Sequence, residues 1–277
     1  MRKFVADSYQ RGYRKRGYHV FRNAFDPNDI GSFANRVRTI LPAYNGLIWR
    51  QSGDVEFNEF FYGTSLVKNS ILNMHIVAPP GLESLSLELR KLITSQALGD
   101  RLKSLDGEDH YTIHQTILFL TAPTTDLHLD SWSLDTVPHG GAHTIWIPLQ
   151  DMNPLSGVPS VVPWPKDMLL TEADLGLSGT GSSTERYDRY QCSLASTILQ
   201  KSPEAITPLM RAGDFIVWSS LTPHFTLPSR PWPAERLAVQ VLVRPTRRIW
   251  GSFANQPPKW TIDRSLRFTK QFSLLFN

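Results

Sequence analysis

The chain has 277 residues, 41% hydrophobic and 11% aromatic, enough to bury a sizeable core. Its 29 Lys and Arg against 25 Asp and Glu leave a net charge of +4. That excess is spread along the chain, and its densest runs, 11–16 and 244–248, are too short to suggest a nucleic-acid groove. The one cysteine, Cys192, excludes an internal disulfide, and no apolar run approaches the ~18 residues that span a bilayer. Residues 1–20 are polar and basic and do not read as a secretory signal, so a cytoplasmic protein without a transmembrane segment is expected.

In chain order, Tyr18, His19, Val20 and Phe21 read as a short strand. Asp26-Pro27-Asn28-Asp29 then supplies capping chemistry, and Ile30, Phe33, Ala34, Val37, Ile40 and Leu41 follow at helical spacing. Residues 83–98 carry Leu85, Leu87, Leu89, Leu92 and Ile93 and predict a second helix packed on a sheet. From Tyr111 onward, short apolar or alternating segments recur at 111–120, 142–149, 158–162, 214–218 and 237–244. Pro, Gly and Ser punctuate the gaps, which argues for a sandwich or barrel rather than βαβ units. The stretch 175–191 holds Gly176, Gly179, Gly181 and many Ser and Thr, and reads as a mobile insertion or lid. The tail beyond Trp250 ends in Phe272, Leu274, Leu275 and Phe276 and is expected to dock back on the body.

His128-Leu129-Asp130 places an imidazole and a carboxylate at i and i+2, which share a face on an extended segment. Such a tripeptide is common, and its bland reading is a surface turn capped by Asp130. His224 is the best third ligand, since it follows the strand-like run 213–218 through a short turn. Two His and one carboxylate on one face of an ion leave positions open for a cosubstrate and O₂, the arrangement of non-heme Fe(II) oxygenases. Arg236 opens the next strand and can clamp a carboxylate bidentately, with Thr226 two residues past His224 able to donate to the same group. His139 and His143 could be read as a zinc pair, but Gly140-Gly141 between them argues against a helix presenting both on one face, and they are placed at the active-site mouth or in a loop. No Gly-x-Ser-x-Gly motif supports a serine hydrolase.

Taken together, four blocks resemble the phytanoyl-CoA dioxygenase family of Fe(II)/2-oxoglutarate oxygenases. They are 13–30, with Arg16-Gly17-Tyr18-His19-Val20-Phe21 at its centre; His128-Leu129-Asp130; Ile145-Trp146-Ile147-Pro148-Leu149 with Gly157 and Val161-Val162-Pro163; and Gly213-Asp214-Phe215-Ile216-Val217-Trp218 through His224 to Arg236. The resemblance implies that His128, Asp130 and His224 hold Fe(II), and that Arg236 and Thr226 hold the distal carboxylate of 2-oxoglutarate. It puts Trp146 against the cosubstrate and Gln115 within possible reach of it, with O₂ as the second cosubstrate.

The implied fold is mostly β with flanking helices, a double-stranded β-helix (jelly roll, cupin-like). One domain is expected over 1–277, with a helical part at about 1–110, a jelly-roll core at about 111–250 and the docking tail. The implied activity is hydroxylation, or another oxidation, of an unactivated C–H of a small organic substrate, with release of succinate and CO₂. Trp132, Ser133 and the 175–191 insertion are the expected substrate contacts. The alternative is a cupin-like barrel, an isomerase or sensor, that binds a metal or small ligand without oxygenase turnover. Trp164-Pro165-Lys166 departs from the Gly, Ser and His that the family usually carries after Val162-Pro163. Asp130 stands where related halogenases have a small residue, which favours hydroxylation.

Overall fold

The computed structural model describes residues 2–68, 70–201 and 204–251. From the N-terminus the elements are α1 (Arg2–Arg16), β1 (Tyr18–Phe21), α2 (Pro27–Ile40), β2 (Leu47–Trp49), β3 (Val55–Phe57), β4 (Ser70–Leu72), α3 (Glu83–Ile93), α4 (Gln96–Asp106) and β5 (Tyr111–Thr121). They continue as β6 (Thr125–His128), β7 (Asp135–Val137), β8 (His143–Pro148), β9 (Pro159–Val161), α5 (Ser183–Lys201), β10 (Phe215–Ser219), β11 (His224–Thr226), β12 (Glu235–Pro245) and β13 (Ile249–Gly251).

Period-two alternation builds the major sheet, a six-stranded antiparallel array in the order β1-β10-β8-β12-β5-β4. On one face, Ile145, Ile147, Phe215, Val217, Val239 and Val241 join the core with the apolar stripes of α2, α3 and α4. On the other, Trp146, Ile216, Trp218 and Ala238 pack with Val158 and Val161 from around β9. A three-stranded minor sheet, β6-β11-β9, covers that second face. The result is the mostly β jelly roll with flanking helices expected from the sequence, with helices outside the major sheet and a cavity between the layers.

Local chemistry sets the helix ends. Asp26 caps α2 by accepting the Asn28 amide at 2.8 Å, with Pro27 at the first helical position, and Ile30, Phe33, Ala34 and Val37 are buried. The single helix expected at 83–98 is instead two. Thr94 ends α3, and Ser95, in an extended conformation, starts α4 by accepting the Leu98 amide. A Ser side chain offers the backbone an alternative to continuing the helix, which is why the apolar spacing alone ran the two together.

The mobile insertion expected at 175–191 requires correction. Gly176, Gly179 and Gly181 precede a helix of 19 residues, α5. Its start is a capping box: Ser182 Oγ accepts the Glu185 amide, and the Glu185 carboxylate accepts from the Ser182 amide at 2.8 Å. Tyr190, Leu194 and Ile198 recur at four-residue spacing and bury against Trp132, Trp164, Leu129 and Leu170. A window closed at residue 191 cuts this stripe after its first member. The helical N-terminal part also contributes β1 and β4 to the major sheet. The predicted docking of the C-terminal tail concerns residues outside those described. No helix among the described residues is long and apolar enough to cross a membrane.

One glycine ties the N-terminal helix to the site. Gly17 closes α1 at φ +73°, its amide donating to Tyr13 O, and its carbonyl accepts from the Ser219 amide and Thr222 Oγ1 in the connection that leads to His224. A Cβ there would stand 2.4 Å from Trp164 O. Gly17→Ala therefore adds a strained backbone to a clash with main chain, an expected loss of roughly 2–3 kcal/mol. Urea denaturation checks it, and an unchanged midpoint would contradict the close approach described.

Candidate metal centre

The antiparallel pairing of β11 with β6 makes His224 and His128 direct cross-strand partners. Their ring centroids are 4.2 Å apart. Asp130 starts a 3-10 turn (Asp130–Trp132) after extended Leu129, which leaves its carboxylate on the histidine side. Asp130 Oδ1 lies 3.6 Å from His224 Nε2 and 4.0 Å from His128 Nε2. One ligand atom from each residue lies within 4.8 Å of the other two, so the three could share one ion.

The hydrogen bonds around these side chains leave the facing atoms free. His128 Nδ1 meets Asp126 O at 2.7 Å, and His224 Nδ1 meets Thr222 O at 2.9 Å. A carbonyl only accepts, so both Nδ1 atoms carry the proton and both Nε2 lone pairs face the shared point. Burial above all pushes the His224 pKa down to about 4, which keeps it neutral and a competent ligand at pH 7. Asp130 Oδ2 accepts from Thr144 Oγ1 at 2.6 Å and from Trp218 Nε1 at 3.3 Å. That orients the carboxylate with Oδ1 toward the histidines.

A cavity of about 210 Å³ opens on this group. Every site residue expected from the sequence lines it: His128, Asp130 and His224; Arg236, Thr226, Trp146 and Gln115; and Trp132 and Ser133. Arg236 is 1% exposed and donates from Nη1 to Gly157 O at 2.6 Å, while its Nε has no hydrogen-bond partner. Its guanidinium lies over Phe119, 4.8 Å from the ring centroid, and burial pushes its pKa down to about 9. Among the described residues no carboxylate pairs with it. Trp146 Nε1 is likewise buried without a partner, in a ring 5.7 Å from the same guanidinium. A buried cation with no carboxylate partner among the described residues and a buried donor with no acceptor call for an anionic acceptor in the cavity.

His139 and His143 do not line this cavity; of the two placements expected, the mouth is ruled out, His139 lies in the loop before β8 and His143 is the first residue of that strand. His143 opens β8 on the helix-facing side, where it joins Tyr13 Oη at 2.7 Å and Asp106 Oδ2 at 2.8 Å. His139 Nδ1 meets buried Asp135 at 3.0 Å. Their separate partners make a zinc pair untenable. Sequence reasoning missed Thr144, Trp218, Gln240 and Tyr187. Thr144 could have been found by stepping two residues back from Trp146 along one strand face, and Trp218 is its partner across β10. Tyr187 was hidden inside the segment read as a loop.

A model of the phytanoyl-CoA dioxygenase (PhyH) family matches residues 13–230. A search of curated protein sequences returned no significant match. Among solved structures, the chain is similar to the non-heme alpha-ketoglutarate-dependent carbocyclase SnoK from nogalamycin biosynthesis, at 16% identity and a TM-score of 0.62, over 93% of this chain and 92% of that one. The epimerase SnoN, solved with Fe3+, alpha-ketoglutarate and nogalamycin RO, gives 15% identity, a TM-score of 0.61 and coverage of 93% and 91%. EctD from S. alaskensis, solved with 2-oxoglutarate and 5-hydroxyectoine, gives 14% identity, a TM-score of 0.59 and coverage of 92% and 82%. At these identities the likeness establishes a shared fold.

The Thr144 hydroxyl gives a test of the centre that does not depend on turnover. Thr144→Val keeps the side-chain shape and removes the bond to Asp130 Oδ2. Divalent-metal affinity, followed by Co(II) titration in visible absorption, is expected to fall about tenfold to a hundredfold. Undiminished Co(II) binding would show that Asp130 is not a ligand.

Proposed function

The chain belongs to the phytanoyl-CoA dioxygenase family, and from that premise we propose that it is an Fe(II)- and 2-oxoglutarate-dependent oxygenase that hydroxylates an unactivated C–H of a small organic substrate. The observation that carries the reading is one cavity holding both a His-Asp-His cluster and a buried, carboxylate-free arginine. Either half alone has other uses; together they match a metal with an anionic, chelating cosubstrate.

The residues fit those groups. His128, Asp130 and His224 supply two neutral imidazoles and a carboxylate, a donor set suited to Fe(II) with positions left open. Arg236 would hold the distal carboxylate of 2-oxoglutarate, with the Thr226 hydroxyl and the Trp146 indole N–H as further donors. When bound, iron and 2-oxoglutarate supply the activation of O₂ that oxidises a substrate C–H, with succinate and CO₂ released.

The protein's own work is orientation and exclusion. The Gly157 carbonyl and the rings of Phe119 and Trp146 fix the Arg236 guanidinium, so its charge meets the cosubstrate without reorganisation. Thr144 and Trp218 hold Asp130 in its ligating pose. The apolar wall of Ile117, Phe119 and Trp132 keeps bulk water away from the reacting atoms. Asp130 occupies the position that a halide needs, which supports hydroxylation over halogenation. We read the chain as one catalytic domain, with residues about 1–110 bracing the barrel and about 111–250 carrying the site. The similar solved structures include an epimerase and a carbocyclase, so a different outcome at the same centre is the second reading.

The test is Fe(II)-dependent formation of succinate from 2-oxoglutarate. A protein that binds Zn(II) yet forms no succinate under any iron-loading condition would leave the cupin-like isomerase or sensor, without oxygenase turnover, standing instead. Arg236→Ala should raise the KM for 2-oxoglutarate about thirty- to hundredfold, the loss of roughly 2–3 kcal/mol from a charge-assisted contact shielded from water. Metal affinity should not change. An unaltered KM would move the anchor elsewhere.

A further inference from the structure

Beyond the groups claimed by metal and cosubstrate, the cavity keeps one consistent chemistry. Its charged lining side chains are Asp130 and Arg236, and both are spoken for. The remaining polar groups are the amides of Gln51, Gln115 and Gln240 and the hydroxyls of Ser133, Thr125 and Tyr187. A charged group brought into such a space would lose its hydration and find no counterion, at a cost of several kcal/mol. Amides and hydroxyls, in contrast, answer uncharged donors and acceptors at little cost.

Tyr187 is the best placed of these. α5 carries it into the cavity, and the helix is anchored on both sides of it. Tyr190, Leu194 and Ile198 are buried in the apolar cluster, and Arg186 pairs with Glu172. The Tyr187 ring lies 5.5 Å from that of Trp132, which also lines the cavity. Its hydroxyl accepts from Gln191 Nε2 at 2.6 Å. An oxygen that accepts there still holds its own proton to donate, so Tyr187 can offer its O–H to whatever occupies the cavity. Burial raises the Tyr187 pKa, which keeps that proton in place at neutral pH.

We infer that Tyr187 is the substrate-orienting residue of this site, and that it donates a hydrogen bond to an uncharged oxygen at the reacting end of a neutral, hydroxyl- or amide-bearing substrate. The ring of Trp132 gives that end an apolar side, and the three glutamines give it a polar one. A larger adjoining cavity of about 710 Å³ shares Gln51, Phe119, Pro123 and Thr125 with the inner one; it carries charges of both signs, Arg50, Lys68, Asp54 and Glu56, so a longer substrate can lie there and the neutrality inferred is that of the reacting end. This inference rests on the oxygenase reading for its idea of a substrate, but its test does not require turnover.

The experiment uses full-length protein loaded with Zn(II) and 2-oxoglutarate, a combination that cannot turn over. Saturation-transfer NMR and competition titrations compare two matched pairs of single-ring probes: methyl β-glucopyranoside against methyl β-glucuronide, and N-acetylphenylalaninamide against N-acetylphenylalanine. In each pair the neutral member is expected to bind at least tenfold more tightly. Tyr187→Phe keeps the ring on Trp132 and should weaken the neutral members roughly fivefold, the worth of one uncharged hydrogen bond. The Kd for 2-oxoglutarate and the Tm should not move. Equal or stronger binding of the ionised members, no binding of either neutral probe, or neutral binding untouched by Tyr187→Phe would each overturn the proposal. If 2-oxoglutarate itself fails to bind, or succinate never forms with iron, the oxygenase reading fails instead, and the preference for neutral probes is judged separately.

Discussion

The cross-strand pairing of His224 with His128 is the constraint on which the rest of the site depends. Two residues far apart in the chain become neighbours because β11 pairs antiparallel with β6, in a register that sets His224 opposite His128 and shifts by one residue before Thr226. A slip of one residue would turn His224 and Thr226 to the opposite face and leave Phe225 in their place. The register is itself held from behind. β9 pairs with the other edge of β11, and Gly17 receives Ser219 and Thr222 from the connection just before it. The N-terminal helix thus bears on the site without contributing a ligand.

The major sheet separates two kinds of burial. Its helix-facing side is largely apolar and carries a clip in which Tyr13, His143 and Asp106 join α1, β8 and α4 through hydrogen bonds. Burial lowers the pKa of His143, while the bond to Asp106 works against that shift. Its cavity-facing side tolerates an arginine at 1% exposure, although desolvating a guanidinium is costly. Such a charge is retained at a functional site when a ligand completes it, and its unpaired Nε favours an anion.

α5 alters the picture of how substrate is met. A flexible lid would close on its ligand and lose order in the free protein, whereas an anchored helix offers its tyrosine already oriented. Preorganisation of this kind limits the entropy lost on binding and narrows what fits. Trp164, in the stretch that departs from the family pattern, belongs to the cluster that anchors this helix. The departure therefore lies in the apolar cluster behind α5, and residues 164–166 do not line the cavity.

What the sequence determined by itself was whatever is written in local spacing. The i, i+2 separation of His128 and Asp130, the period-two strands of the jelly roll, and the cap and stripe of α2 all rest on neighbours within a few residues, where backbone geometry leaves few choices. The strand-like runs around them made His224, Thr226 and Arg236 candidates, and the resemblance across four blocks assigned their roles and added Trp146. Only the tertiary structure decided which side chains complete these groups. Thr144 and Trp218 reach Asp130 across adjacent strands, and Gly157 and Phe119 frame Arg236 from distant segments; cross-strand register is a long-range property that no local window contains. It also decided that His143 serves the scaffold, since burial on the helix side of β8 is set by which face the neighbouring strands leave apolar, and that His139 pairs with Asp135 in the loop before it. α5 falls between the two cases. Its capping box and its Tyr190, Leu194 and Ile198 stripe stand in the sequence, but Gly-rich residues in front of them masked the signal until the helix was seen docked against Trp132.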